Sequence, residues 1–71
     1  MNVNELKRKI IENGMNIEMM SLAIGMNKST FYRKMRNRGE TFTVKEVNLI
    51  CKRLSLSKVE AMVIFFGDYV A

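Results

Sequence analysis

The sequence predicts a single all-α domain, and three observations lead to that prediction. Residues that suit helix N-caps stand at five places, each just before apolar residues spaced three and four apart. No stretch alternates with period two for long enough to form a strand; residues 41–44 come nearest. With 71 residues, no proline and scattered glycines, the chain offers no linker between domains. We therefore expect five helices in one domain over residues 1–71.

The first helix is expected over about residues 3–12. Asn2 and Glu5 have the three-residue spacing of a capping box, and Gly14 suits a left-handed C-terminal cap. Its inward stripe comprises Val3, Leu6 and Ile10.

Two short helices should follow, separated by a tight turn. Asn16 is a good N-cap for the second helix, and Gly25 ends it because glycine adopts positive φ without strain. Asn27 then caps a third helix over about residues 28–37, with Phe31 and Met35 facing inward one turn apart. The other positions of this helix are polar or charged, so it should display a broad outer face.

The last two helices begin at further capping boxes. Thr43 and Glu46 predict a fourth helix reaching about Leu54, and Ser57 and Glu60 predict a fifth over about residues 58–66. The expected apolar stripe of the fourth helix comprises Val44, Val47, Ile50, Cys51 and Leu54.

The positive charge is concentrated in one segment. The net charge is +5, and five basic residues without an acid lie between residues 27 and 38, whereas the remainder sums to zero. A concentrated excess of this kind indicates a site for a polyanion, although a solvated basic helix face would give the same pattern. The five are Lys28, Arg33, Lys34, Arg36 and Arg38.

Two helices joined by a three-residue turn that contains Gly25 form a helix-turn-helix over about residues 17–37. Here the stretch IEMMSLAIGMNKSTFYRKMRNRG resembles the lambda-repressor-like (Cro/C1-type, XRE) family of phage and bacterial transcriptional regulators. The best match is GMNKSTFYRKM, and the resemblance extends over nearly the whole chain. It implies a compact five-helix domain that binds double-stranded operator DNA as a homodimer, on an inverted repeat, without catalysis. With 71 residues, no room is expected for a separate dimerisation or ligand-sensing domain, which favours a small Cro-like repressor.

The sequence departs from the family's pattern at three places. Ser21 stands where the family usually has alanine. Ile17 and Glu18 stand where a glutamine often contacts phosphate, and Asn16 with the neighbouring backbone amides would replace that contact. Met35 follows Phe31 by four residues rather than three.

The resemblance also implies a set of DNA contacts. The residues expected to face base edges are Lys28, Ser29, Tyr32 and Arg33, whose donors suit guanine and other major-groove edges. Those expected to contact phosphates are Asn16, Asn27, Thr30, Lys34, Arg36 and Arg38.

The C-terminal residues are apolar on more than one face, which indicates a second packing surface. Val59, Met62, Val63 and Phe66 form the expected inward stripe. A dimer interface is then expected at Ile64, Phe65, Tyr69 and Val70. The alternative is a C-terminal tail that packs on its own domain.

Composition argues against several other classes. Without histidine and with Cys51 as the single cysteine, neither a zinc site nor an internal disulfide is expected. No catalytic motif, cofactor site or small-molecule ligand is indicated. No apolar run reaches about 18 residues and no signal peptide is evident, so we expect a cytoplasmic protein without a membrane partner. The competing function is a protein-interaction module, such as an anti-repressor or adaptor, that reuses the same fold.

Overall fold

The computed structural model describes residues 1–37 and 41–67, and within them every regular element is an α-helix. The expected count and order of helices are confirmed. In chain order the helices are α1 (Val3–Glu12), α2 (Ile17–Ala23), α3 (Lys28–Arg36), α4 (Val44–Arg53) and α5 (Lys58–Phe66).

All five helices begin where a side chain accepts a hydrogen bond from the backbone N–H three residues on. The capping residues are Asn2, Asn16, Asn27, Thr43 and Ser57. Each cap satisfies one of the N–H groups that a helix start leaves without an intrahelical partner. Helices of seven to ten residues are marginal alone, so these local signals fix the helix starts while tertiary packing supplies the stability.

Two of the three predicted capping boxes are complete, those of Thr43 with Glu46 and of Ser57 with Glu60. At α1 only half of the box forms. The Asn2 side chain accepts from the Glu5 N–H at 3.0 Å, but the Glu5 carboxylate binds Arg8 instead. The Asn2 N–H donates to the carbonyl of Ile64 at 2.6 Å, so a tertiary contact with α5 takes the place of the local one.

The turn between α2 and α3 depends on Gly25, whose φ of +78° lies in the left-handed region that favours glycine. Ser21 is completely buried on α2, and its hydroxyl donates to the carbonyl of Glu18 at 2.8 Å. The Met26 N–H donates to the Ser21 carbonyl at 2.9 Å. The small buried side chain and this backbone bond bring the start of α3 close against α2.

The core draws on all five helices. Its buried apolar residues are Leu6, Ile10, Met20, Ile24, Phe31, Met35, Ile50, Leu54, Ile64 and Phe65. Val44, expected on the inward stripe of α4, is instead exposed. It is the first residue of that helix, and the inward positions begin one turn later, at Val47.

The orientation predicted for α5 is wrong. Val59, Met62, Val63 and Phe66, expected to face inward, are 43–70% exposed. Ile64 and Phe65, expected at a dimer interface, are buried in the core of the single chain. The helix is apolar on nearly every side, so its sequence pattern does not specify a buried face; packing against α1 does. Tyr69 and Val70, the other predicted interface residues, lie outside the described part of the chain.

No helix within residues 1–37 and 41–67 combines the length and the apolar character needed to cross a bilayer.

Candidate nucleic-acid interface

The candidate site is the outer face of α3, and two buried side chains hold that helix in place. Phe31 is fully buried and Met35 is 3% exposed. The Phe31 ring also makes an edge contact with the ring of Phe42, with centroids 5.4 Å apart at an angle of 65°. Aromatic pairs prefer this arrangement, which adds about 0.5–1.5 kcal/mol beyond burial. The helix is therefore anchored to the core, and most of its remaining side chains are available at the surface.

The outer face of α3 carries hydrogen-bond donors and no acidic residue. Of the α3 residues predicted to contact DNA, four are exposed, namely Lys28, Ser29, Arg33 and Arg36. Tyr32 and Thr30 are half-buried at the edges of the same face. Arg38, predicted to contact a phosphate, lies outside the described residues.

The cations on this face are available for a ligand. Within residues 1–37 and 41–67, Arg33 and Arg36 form no salt bridge. Lys28 has its Nζ 4.0 Å from a carboxylate oxygen of Glu18, and both side chains are more than half exposed. Such a surface pair contributes about 0–1 kcal/mol, so it exchanges readily for a stronger anion.

Lys34 does not share this face, contrary to its predicted role as a phosphate contact. Its Nζ donates to Glu46 Oε1 at 2.8 Å, and its side chain is only 14% exposed. The ammonium also lies 5.9 Å from the centroid of the Phe42 ring. The charge is thus balanced by α4 and held at the edge of the core. The sequence analysis did not foresee this pair because it assigned Glu46 only to the capping box of α4.

Asn16 and Asn27 act first as helix caps. Their side-chain oxygens accept hydrogen bonds from the N–H groups of Met19 and Thr30, both at 2.8 Å. Among the described residues no partner is recorded for either side-chain NH₂ group. Each cap therefore orients an amide donor at the start of α2 or α3.

Exposed cations outside α3 were missed by the sequence analysis. Outside residues 27–38 the net charge is zero, but two cations of α1 are paired with acidic residues, whereas within residues 1–37 and 41–67 those of α4 and α5 are not. Arg8 and Lys9 of α1 pair with Glu5, Glu12 and Glu60. No salt bridge within the described part of the chain neutralises four exposed cations of α4 and α5, which are Lys45, Lys52, Arg53 and Lys58. The sequence did contain a signal for this distribution. Glu5 and Glu12 lie three and four residues from Arg8, and acidic and basic residues at that spacing on a helix pair with each other.

Cys51 is half-buried on α4, and burial raises the pKa of its thiol. A raised pKa lowers the fraction of reactive thiolate, and the side chain packs against the core.

No protein-family model, curated protein or solved structure matches this chain.

Proposed function

We propose that this chain is a sequence-specific double-stranded DNA-binding transcriptional regulator, with α2, the Gly25 turn and α3 acting as a helix-turn-helix. The observation that carries the proposal is the arrangement of α3. Phe31 and Met35 fix its inner side, while its outer face exposes cations and hydroxyls without an acidic residue. A rigid helix of this kind fits the major groove, which is wide enough to admit an α-helix.

The proposed contacts follow from the chemistry of the exposed side chains. Lys28 and Arg33 would donate to guanine O6 and N7, and Ser29 and Tyr32 would contact neighbouring base edges. Arg36, Thr30 and the side-chain amides of Asn16 and Asn27 would contact phosphates. Lys34 is removed from this set because Glu46 holds it.

We infer further that the chain acts as a homodimer through the exposed side of α5, formed by Val59, Met62, Val63 and Phe66. Each of these residues lies three and four positions from two of the others, so they form one stripe, and two copies of the stripe can pack against each other. A two-fold dimer would place two copies of α3 about 34 Å apart, one turn of DNA, and would bind an inverted repeat. By resemblance, the role is that of a phage-type, Cro-like repressor in the cytoplasm.

Selection of bound sequences from a random DNA pool, followed by affinity measurements against salt, tests the proposal. We expect an enriched inverted repeat and an affinity that falls steeply with salt, with a slope of about −0.9 for each phosphate contacted. Binding without an enriched sequence would reject specific recognition.

The alternative is a protein-interaction module, and the exposed apolar side of α5 is equally compatible with it. The same experiment separates the two functions. If the chain binds no DNA at physiological salt, the DNA-binding proposal is wrong and the interaction module takes its place.

A further inference from the structure

Lys34 and Glu46 connect α3 to the start of α4. The Lys34 Nζ donates to Glu46 Oε1 at 2.8 Å, and the two residues are twelve positions apart in the sequence. Their side chains are 14% and 21% exposed, so water screens this pair less than a surface salt bridge. It is the only salt bridge among the described residues that joins these two helices.

The Glu46 carboxylate is itself held in place by the cap of α4. Its Oε1 also accepts from the Thr43 N–H at 2.9 Å, while the Thr43 hydroxyl accepts from the Glu46 N–H at 3.1 Å. Burial raises the pKa of Glu46, but the hydrogen bonds from Lys34 and Thr43 outweigh burial and leave the pKa below its ordinary value. The carboxylate is therefore charged at neutral pH, and its two hydrogen bonds restrict the side-chain conformation.

Phe42 completes the connection between the helices. Its ring contacts Phe31 on one side and lies 5.9 Å from the Lys34 ammonium on another. Otherwise α3 packs mainly on α2, and α4 is not among its extensively packed neighbours. Among the described residues, the Lys34–Glu46 pair is thus the side-chain hydrogen bond that links α3 to α4, and its geometry is directional.

We propose that the Lys34–Glu46 pair sets the orientation of α3, so that Lys34 is a positioning residue that governs which DNA sequence is preferred without touching DNA. This inference rests on the proposed DNA-binding function. Arg36 gives the contrast, because it lies two positions later on the same helix, is exposed and has no partner in the described part of the chain.

The test compares Lys34→Met with Arg36→Met on the selected DNA site. Methionine keeps an unbranched chain over Phe42 but removes the charge. For Lys34→Met we expect the preference for the selected site over random DNA to fall roughly tenfold, the order of one base contact, with the salt slope unchanged. For Arg36→Met the slope should become shallower by about 0.9, because one phosphate contact is lost. A shallower slope for Lys34→Met, or an unchanged preference, overturns the inference.

A measurement without DNA tests the structural part of the inference, the orientation of α3 by the Lys34–Glu46 pair, separately from DNA binding. In the wild-type chain, nuclear Overhauser effects should connect the Lys34 ε-methylene to the Phe42 ring. The Glu46→Gln variant keeps an oxygen that can accept from the Thr43 N–H. In this variant the nuclear Overhauser effects should weaken, and the backbone amide chemical shifts along α3 should change. If these effects are seen but the wild-type chain binds no DNA, the DNA-binding function and the role of Lys34 in sequence preference are rejected, while the pair still orients α3. Their absence from the wild type would reject the pair as a positioning device.

Discussion

α3 and α5 are built alike and differ in what they display. Each is nine residues long and buries two side chains, Phe31 and Met35 in one helix and Ile64 and Phe65 in the other. The outer face of α3 carries cations and hydroxyls, whereas that of α5 is apolar. In both helices two buried side chains provide the apolar anchor, and a salt bridge to a neighbouring helix adds to it. The rest of each helix is then available for a polar ligand in one case and an apolar surface in the other.

The largest expected effect separates buried from exposed residues of the same type. Phe31→Ala should lower the free energy of unfolding by about 3–5 kcal/mol, because it removes a fully buried ring that also contacts Phe42. Phe66→Ala should cost about 1 kcal/mol or less, since that ring is 49% exposed. Urea unfolding at a concentration where the chain is monomeric measures both. Equal losses would show that the two helices are not anchored as described.

The next effect concerns the polar face. Arg33→Ala should weaken binding to the selected DNA site by roughly tenfold or more, as expected for a lost base contact, with an unchanged melting temperature. Lys7→Ala is the control, because it removes an exposed cation from α1, away from the proposed DNA-binding face. Titration of both variants against labelled DNA gives the comparison. If the Arg33 variant kept the wild-type preference, its role in base recognition would be excluded.

A third prediction concerns the apolar face. Val63→Lys should weaken self-association roughly tenfold or more, because a charge would have to be buried between two copies of α5. Val44→Lys supplies the matched control, since Val44 is exposed on α4. Sedimentation equilibrium distinguishes the two. A wild-type monomer–dimer balance in Val63→Lys would reject this side of α5 as the dimer contact.

The smallest expected effect is a dependence of fold stability on pH, caused by Glu60 in the first turn of α5. Hydrogen bonds from Lys9 and Ser57 lower the pKa of Glu60 from its usual 4.5 to about 2. A pKa that is lower in the folded state stabilises the fold fully above about pH 4.5, and that contribution is lost as pH falls towards 2. The pKa values of Glu5 and Glu46 are also lowered and act in the same direction.

Melting temperatures recorded from pH 7 to pH 2 test this expectation. Glu60→Gln should melt at a lower temperature at pH 7 and lose less stability on acidification than wild type. Glu18→Gln is the control, because its contact with Lys28 is exposed and 4.0 Å long. Parallel pH profiles for Glu60→Gln and wild type would contradict the assigned ion pair.

The helix starts could be predicted because their signals are local. Asn27 and Thr43 each accept a hydrogen bond from a backbone group three residues away, so the information lies within one turn of sequence. The positive φ of Gly25 is likewise a property of one residue. The same reasoning gave the inward pair of α3, Phe31 and Met35, because every other position of that helix is polar or charged.

Features that depend on contacts between distant segments could not be predicted. The buried face of α5 is set by α1, through the Asn2–Ile64 hydrogen bond and the Lys9–Glu60 pair. Lys34 looked like a surface cation because its partner is twelve residues away and already had a local role. An apolar or basic segment shows that an outer surface exists, but packing decides which side chains form it.

The narrow anchoring of α3 has a consequence for how such a chain diverges. Its start depends on the cap that Asn27 provides, and its packing depends on the buried side chains of Phe31 and Met35. Substitutions at exposed positions such as Lys28, Ser29, Arg33 and Arg36 should therefore be nearly neutral for folding. Duplicated copies could acquire different ligand preferences within a few mutational steps and remain folded at each one. The same separation makes these four positions a natural choice for randomisation in a library.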